Sequence, residues 1–285
     1  MSVYQQKAYA KINLGLDVVR RLPNGYHQVK MIMQSINLWD ELTFEKVGHQ
    51  ITITTDSESL PTDEHNLIYK AAHHMFEKYH ISAGLRVHLR KHIPIAAGLA
   101  GGSTDAAAAI RAVNVLFGLG ISTAGLMEEG TAIGADVPYC ILGGTALAEG
   151  MGEKLTPLAP LPSCHILVAK PDISVSTKYV YEHLNLQEIS RHPDIDGMAA
   201  AIAAGELDGI TSRMANVLET VTIAACPVIA AIQTEMLQLG AENSLMSGSG
   251  PTVFGIYRDA EAAKSAHDKM EKTGLAKQLF LTTPI

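Results

Sequence analysis

The chain has 285 residues, 47% of them apolar, which is enough for two domains of ordinary size, each with its own core. A formal charge of -7, with Lys and Arg scattered along the chain, excludes an electrostatic nucleic-acid surface, so any anionic ligand has to be held by local groups. Three cysteines (Cys140, Cys164, Cys226) in no paired spacing indicate neither a disulfide framework nor a zinc site.

The first residues show no signal pattern, and no apolar run reaches the roughly 18 residues that span a bilayer, so a soluble, unprocessed protein of the reducing cytoplasm, bound to no membrane, is expected. Residues 9–18 alternate, with Ile12, Leu14, Leu16 and Val18 on one face and Lys11, Asn13, Gly15 and Asp17 on the other, which predicts a half-buried strand with Lys11 and Asn13 pointing the same way. "LPNGYH" is a turn signal, and the apolar segment Val29 to Leu38 returns as the second strand of a hairpin. "QITITT" is a further strand, followed by a predicted helix over 63–79. "GLRVHLRKHIP" is a strand with one basic face, Arg86, His88 and Arg90, of the kind that usually faces water. His73 and His74 point in different directions on the helix and are expected to be surface residues.

"HIPIAAGLAGGSTDAAAAIRAVN" then removes side chains from a loop that opens a helix ending near Gly118. Bare backbone lets several N–H donors approach a phosphate, and the helix start adds free amides and a positive dipole end. A tight turn with close helix packing explains the same glycines. Ser103 or Thr104 would either cap that helix or turn a hydroxyl toward phosphate or Mg²⁺. The stretch is neither a Walker motif, which needs Lys where this chain has Ser103, nor G-x-G-x-x-G. Asp136, before Pro138, is a turn or cap residue or a functional carboxylate, and "SGSGPT" at 247–252 is a second bare turn.

The proline-rich "TPLAPLPS" predicts a boundary between domains 1–157 and 158–285. Beyond it come a strand at "HILVAKP", a helix from about Ser176, a weakly patterned stretch over 185–212 that is a mobile lid or a surface helix pair, helices over 227–239 and 259–273, and two short strands flanking "SGSGPT". Hairpins with intervening helices and no regular βαβ repetition make the fold class α+β.

"PIAAGLAGGSTDAAAA" resembles the phosphate-binding motif of the galactokinase, homoserine kinase, mevalonate kinase and phosphomevalonate kinase superfamily, the GHMP kinases, and "MSGSGPTVFGIY" resembles its C-terminal glycine motif. "AYAKINLGLDV", "PNGYHQV", "EHNLIYKAA" and "GADVPYCILGGTALAEGMGE" narrow the resemblance to members acting on a cytidine diphosphate-linked methylerythritol in non-mevalonate isoprenoid synthesis. The resemblance implies a two-domain GHMP kinase fold: an N-terminal nucleotide-binding domain, a C-terminal α/β sandwich-like domain, and an active site in the cleft between them. It implies transfer of the ATP γ-phosphoryl group to the 2-hydroxyl of the polyol, with Asp136 as the base and Lys11 keeping that carboxylate charged and stabilising the developing negative charge. Pro94, Ile95, Ala96, Ala97, Gly98, Leu99, Ala100, Gly101, Gly102, Ser103 and Thr104 would cradle ATP, with Ser103 near Mg²⁺ and Asn66 and Leu67 bordering the adenine. Tyr26 and His27 would meet the cytosine, with Tyr181 covering it from the other side and Thr177 one turn earlier, and Asn13 would contact the methylerythritol. Gly248 and Ser249 of the second glycine turn complete the substrate set. Ala97 and Ala100 replace glycines frequent in the family, and the methyl of Ala100 is expected to require a negative φ there. Another GHMP kinase of homoserine or mevalonate type, and a non-catalytic nucleotide-binding regulator, are the alternatives.

Overall fold

The computed structural model describes residues 3–285, a mixture of helices and mostly antiparallel strands that bears out the α+β class. The chain forms two compact units, each interrupted in sequence. Two long strands, β1 (Val3–Arg21) and β2 (His27–Val47), run through both, joined by the expected turn, in which Leu22 N–H donates to the Tyr26 carbonyl. Among the described residues no single helix is long and apolar enough to cross a membrane.

The first unit comprises residues 3–10, 38–95 and 100–143. Its strands are the second half of β2, β3 (Ile51–Thr55) and β4 (Gly84–Arg90). β4 lies antiparallel to β2, with Val87 opposite Phe44, and β3 parallel to β4. Leu85, Val87 and Leu89 are buried while Arg86, His88 and Arg90 face outward, as the alternation demands. Arg86 and Arg90 pair with Glu45 and Glu41 on β2, so the basic face is a solvated one. Helices α1 (Leu67–Lys78), α2 (Gly101–Leu116), α3 (Thr123–Thr131) and α4 (Val137–Leu142) fill out the unit. The buried alanines Ala106 to Ala109 of α2 and Ala71 and Ala72 of α1 share one core with Phe44, Met75 and Leu89.

The second unit comprises residues 11–37, 96–99 and 144–285. The first half of β2 pairs antiparallel with β5 (Thr145–Gly150), and β5 with β6 (Lys154–Pro157). A four-stranded antiparallel sheet runs in the order β10 (Gln278–Thr282), β7 (His165–Lys170), β9 (Val253–Tyr257), β8 (Asn243–Met246). β9 is buried at every position, as a central strand covered on both faces must be. The helices are α5 (Thr177–His183), α6 (Ile195–Ala204), α7 (Leu207–Thr211), α8 (Glu219–Ala225), α9 (Val228–Gln238) and α10 (Ala260–Thr273).

Three expectations change. The strand read over 9–18 extends across Val3–Arg21 and is buried on both faces from Ala10 to Leu16, because Lys11 and Asn13 are themselves covered. The helix expected from residue 63 starts at Leu67, since Asn66 caps it by accepting the Ile68 N–H at 2.8 Å. His74 is half-buried: its ring meets Glu129 at 2.8 Å, and Lys78 and Tyr79 donate to the same carboxylate. Burial alone would raise the Glu129 carboxyl, but the bonds from Lys78, Tyr79 and His74 outweigh it and hold it below the usual range. Residues 185–212, left open between a lid and a helix pair, contain α6, α7 and a short 3₁₀ turn, Leu186–Glu188.

Candidate active site

In the second unit the site starts on β1. Lys11 is 4% exposed, and its Nζ donates to Asn13 Oδ1 at 2.8 Å, which places both polar ends together, as the two-residue strand period requires. Lys11 N–H donates to the Leu99 carbonyl at 3.1 Å and thereby fastens the end of the 96–99 loop to the strand. Gly98, at φ 74°, packs backbone against backbone: a Cβ there would collide with the Ser247 carbonyl oxygen, and Ser247 Oγ donates to the Gly98 carbonyl at 3.0 Å. Only glycine fits such an approach.

The other side of that approach is the turn between β8 and β9. Ser247 N–H donates to Thr252 O at 2.9 Å and Gly250 N–H to Ser247 O at 2.9 Å. Gly248, at φ 59°, would place a Cβ 3.5 Å from Lys11 Nζ and 3.5 Å from Asn13 Oδ1, so this turn borders the Lys11–Asn13 pair. Ser249 Oγ lies 2.8 Å from Thr177 Oγ1 at the start of α5. One helical turn on from Thr177, Tyr181 faces His27, with ring centroids 5.3 Å apart and tilted by 33°. Tyr181 is half-buried, so it is not spent on core packing, and Tyr26 is 66% exposed on its turn. Burial, and then the charge of Arg21, lower the His27 pKa below that of a free imidazole. A neutral ring has one donor and one acceptor nitrogen.

In the first unit the site is the start of α2. The helix begins at Gly101 with Ala100 at the N-cap in the left-handed region, φ 58°, and no side chain caps it. Ser103 and Thr104 therefore lie inside the helix and neither is the cap, and Ala100 does not keep the negative φ expected of it. Ala96, at φ 50°, is likewise left-handed. Each alanine held there costs roughly 1–2 kcal/mol, strain that the surrounding loop has to impose. The N–H groups of Gly101, Gly102 and Ser103 have no protein partner among the described residues, while Thr104 N–H closes the first turn onto Ala100 O at 2.9 Å. Gly102 sits against Leu67, 3.3 Å from where its Cβ would be, so the α2 start and the start of α1 are neighbours. Pro94 and Thr104 are buried, Ile95 is 39% exposed, and Asn66 uses its amide locally, donating to Pro61 O at 2.7 Å and capping α1.

Beneath the helix start lies a buried ion cluster that pattern reading did not find. Lys91 Nζ donates to Asp40 and, at 2.8 Å, to Asp105 of α2, and a Cβ on Gly101 would lie 3.0 Å from that same nitrogen. Asp40 Oδ1 accepts the N–H groups of His92 and Ile93 at 2.6 and 2.8 Å, ordering the chain that leads into Pro94. Burial pushes the Asp105 carboxyl up to about 8, with Lys91 pulling it down and Asp40 pushing it further up. Lys91 itself is raised: burial opposes its charge, but the two carboxylates favour it more strongly. The signal available in the sequence was a lysine just before the glycine loop and an aspartate just after it.

Asp136 stands at the N-cap position of α4, half-buried, but its carboxylate makes no capping bond, which sets aside the simple cap reading. It belongs to the first unit and Lys11 to the second. Three further residues of the second unit escaped notice because each sits in a weakly patterned stretch: Asn216, Glu219 and Thr222 hold the 247–250 turn from behind.

Known proteins share this sequence and architecture. Residues 66–144 match the family described as GHMP kinases N terminal domain, and residues 193–276 match GHMP kinases C terminal. A 4-diphosphocytidyl-2-C-methyl-D-erythritol kinase of Lachnospira eligens is 50% identical over 283 residues, covering 99% of this chain and 98% of its own. One from Acetivibrio thermocellus is 48% identical, covering 94% of each chain. A crystal structure of a 4-(cytidine 5'-diphospho)-2C-methyl-D-erythritol kinase superposes with a TM-score of 0.85 at 31% identity over 99% of both chains. A homoserine kinase from Cytophaga hutchinsonii shares the fold at a TM-score of 0.79 and 20% identity, covering 99% of this chain and 94% of its own. By full-length identity and matched domains, the chain belongs to the GHMP kinases, and within them to the 4-diphosphocytidyl-2-C-methyl-D-erythritol kinase family.

Proposed function

We propose that this kinase transfers the γ-phosphoryl group of ATP to the 2-hydroxyl of 4-diphosphocytidyl-2-C-methyl-D-erythritol, in the cytoplasm, as a step of the non-mevalonate isoprenoid route. The carrying observation is 50% identity along 99% of the chain to a relative of that name. In sequence order the nucleotide half is 1–157 and the second kinase half 158–285. Phosphoryl transfer asks a protein mainly for positioning and charge stabilisation. The hydroxyl oxygen attacks the γ-phosphorus, the bond to the β,γ-bridging oxygen breaks, ADP leaves, and the hydroxyl proton passes to the Asp136 carboxylate. The Lys11 ammonium, oriented by Asn13, stabilises the charge that develops on the transferred group.

The free N–H groups of Gly101, Gly102 and Ser103 receive ATP phosphate oxygens, with residues 94–100 shaping the approach and Asn66 and Leu67 bordering the base. Tyr26 stacks on the cytosine, His27 bonds its edge, and Tyr181 covers the opposite side. The donor set near the helix start fits a Mg²⁺ carried mostly by nucleotide oxygens: among the described residues Ser103 Oγ has no hydrogen-bond partner, and the nearby Asp105 is engaged by Lys91. Such an ion would neutralise the charge between β- and γ-phosphates, with Ser103 as its protein ligand. A homoserine- or mevalonate-type activity has only fold-level likeness behind it, at 20% and 15% identity. A non-catalytic regulator has no use for Lys11 and Asp136, and both are present.

Asp136→Asn and Lys11→Ala are expected to lower kcat at least about 100-fold with the ATP dissociation constant within about twofold of wild type, because both act on the transferred group. Near-wild-type turnover in either variant contradicts its role.

A further inference from the structure

The 247–250 turn is held by a clamp of neutral side chains. Asn216 is 4% exposed and uses its whole amide: Nδ2 donates to Met246 O at 2.8 Å and Gly248 O at 2.7 Å, while Oδ1 accepts the Leu218 N–H at 3.0 Å. Its own backbone is fixed to β1, because Leu16 N–H donates to Ala215 O and Val217 N–H donates to Leu16 O, both at 3.0 Å. A single residue therefore sets the register between the strand that carries Lys11 and Asn13 and the turn that borders them. Glu219 takes the Met246 N–H at 2.8 Å and Thr222 Oγ1 donates to Ser249 O at 3.3 Å, so adjacent peptides are fixed as well.

The orientation of one peptide plane follows. The 248–249 bond is trans, so its carbonyl and N–H point in opposite directions. With Gly248 O tied to Asn216, the Ser249 N–H is aimed away from the clamp. Neither the Gly248 nor the Ser249 N–H has a protein partner among the described residues, although both residues are buried. Buried backbone donors are nearly always paired, so an orphaned pair beside Lys11 Nζ and Asn13 Oδ1 marks the place of a ligand acceptor atom.

We infer that Asn216 is a positioning residue for the acceptor substrate: by fixing the Gly248–Ser249 peptide it aims the Ser249 N–H, beside the open N–H of Gly248, at an oxygen of the cytidine diphosphate-linked polyol next to Lys11. This rests on the acceptor reading of the second unit given above. Asparagine is the residue the geometry demands. Aspartate has no donor for two carbonyls, and serine is too short to reach both.

The test is calorimetric titration with 4-diphosphocytidyl-2-C-methyl-D-erythritol in the absence of ATP, and separately with MgADP, on wild type, Asn216→Ala, Thr222→Val and Tyr26→Ala. Thr222→Val keeps shape and loses only hydroxyl bonds, so it remains informative if Asn216→Ala fails to fold. The polyol dissociation constant is expected to rise about 10-fold or more in Asn216→Ala and about 3-fold in Thr222→Val, with MgADP unchanged within about twofold in both. Loss of stability alone raises both dissociation constants by the same factor, through the folded fraction, so it does not change their ratio. Unchanged polyol binding in the clamp variants, while Tyr26→Ala weakens it, overturns the inference and leaves the proposed function standing. Equal weakening of polyol and MgADP also overturns it. Unchanged polyol binding in Tyr26→Ala as well overturns the acceptor reading itself, and the inference with it.

Discussion

The two units support their ligand-facing backbone by opposite means. The start of α2 in the first unit rests on a buried cluster of ionisable groups, Asp40, Lys91 and Asp105, and its leading amides are left open. The 247–250 turn in the second unit is gripped mostly by uncharged groups: the Asn216 amide, the Thr222 and Ser247 hydroxyls, and the single carboxyl Glu219, which burial raises above the usual range. A polyanion at a helix start is met by open amides and the positive end of the helix dipole, while Lys91 under Gly101 is engaged by Asp40 and Asp105 and anchors that start. An acceptor that must be aligned needs exact peptide planes, which short neutral hydrogen bonds fix without adding a field.

Lys91→Met should break this contrast hardest. It leaves the buried Asp40 carboxylate without its cation and Asp105 without its hydrogen-bond donor, at 0% and 4% exposure, and is expected to destabilise the protein by about 3–5 kcal/mol in urea denaturation. The folded fraction should bind MgADP more weakly and the polyol normally; equal loss of both would erase the contrast. Gly98→Ala comes next. Its methyl would collide with the Ser247 carbonyl at a φ of 74°, so a loss of about 2 kcal/mol or more is expected, with weakened binding of both ligands because the loop and the turn pack directly.

A smaller effect sharpens the acceptor side. The His27 pKa is lowered, so the neutral ring predominates above pH 6.5 and polyol affinity is expected to be flat there. Below that, protonation removes the acceptor nitrogen, and affinity should fall as pH drops through the His27 pKa, approaching tenfold per unit. His27→Gln should flatten that limb of the calorimetric pH profile. Smallest is Ala100→Gly. Relief of the left-handed strain and the greater freedom of the unfolded chain nearly offset, so the stability change in thermal melting is expected to stay within about 1 kcal/mol. A large loss would mean that the Ala100 methyl is needed for packing.

Most of the fold was legible because period-2 and period-3.6 patterns and turn residues report burial directly. β3, β4, α5, α9 and α10 fall where alternation, capping and Gly or Pro punctuation put them. The double burial of β1 was hidden, since Lys11 and Asn13 look like a wet face until Leu99 and Gly248 are packed beside them. Asn66 was visible as a residue near the adenine motif, but its role as the α1 cap depends on a local bond to Ile68. The left-handed Ala100 went against expectation because propensity argues for glycine there, and tertiary packing overrode it. Both glycine stretches were readable as bare backbone. What set them apart lies outside both stretches: Lys91 just before the first reads as one more cation of a basic strand, and Asn216 lies far upstream of the second.

The most direct measurement is phosphoryl transfer by the purified protein from MgATP to a panel of 4-diphosphocytidyl-2-C-methyl-D-erythritol, homoserine and mevalonate, followed by phosphorus NMR. The account predicts a new phosphomonoester resonance, coupled to ADP formation, with the cytidine-linked polyol alone. A phosphorylated product from homoserine or mevalonate, or none from the polyol, would contradict it.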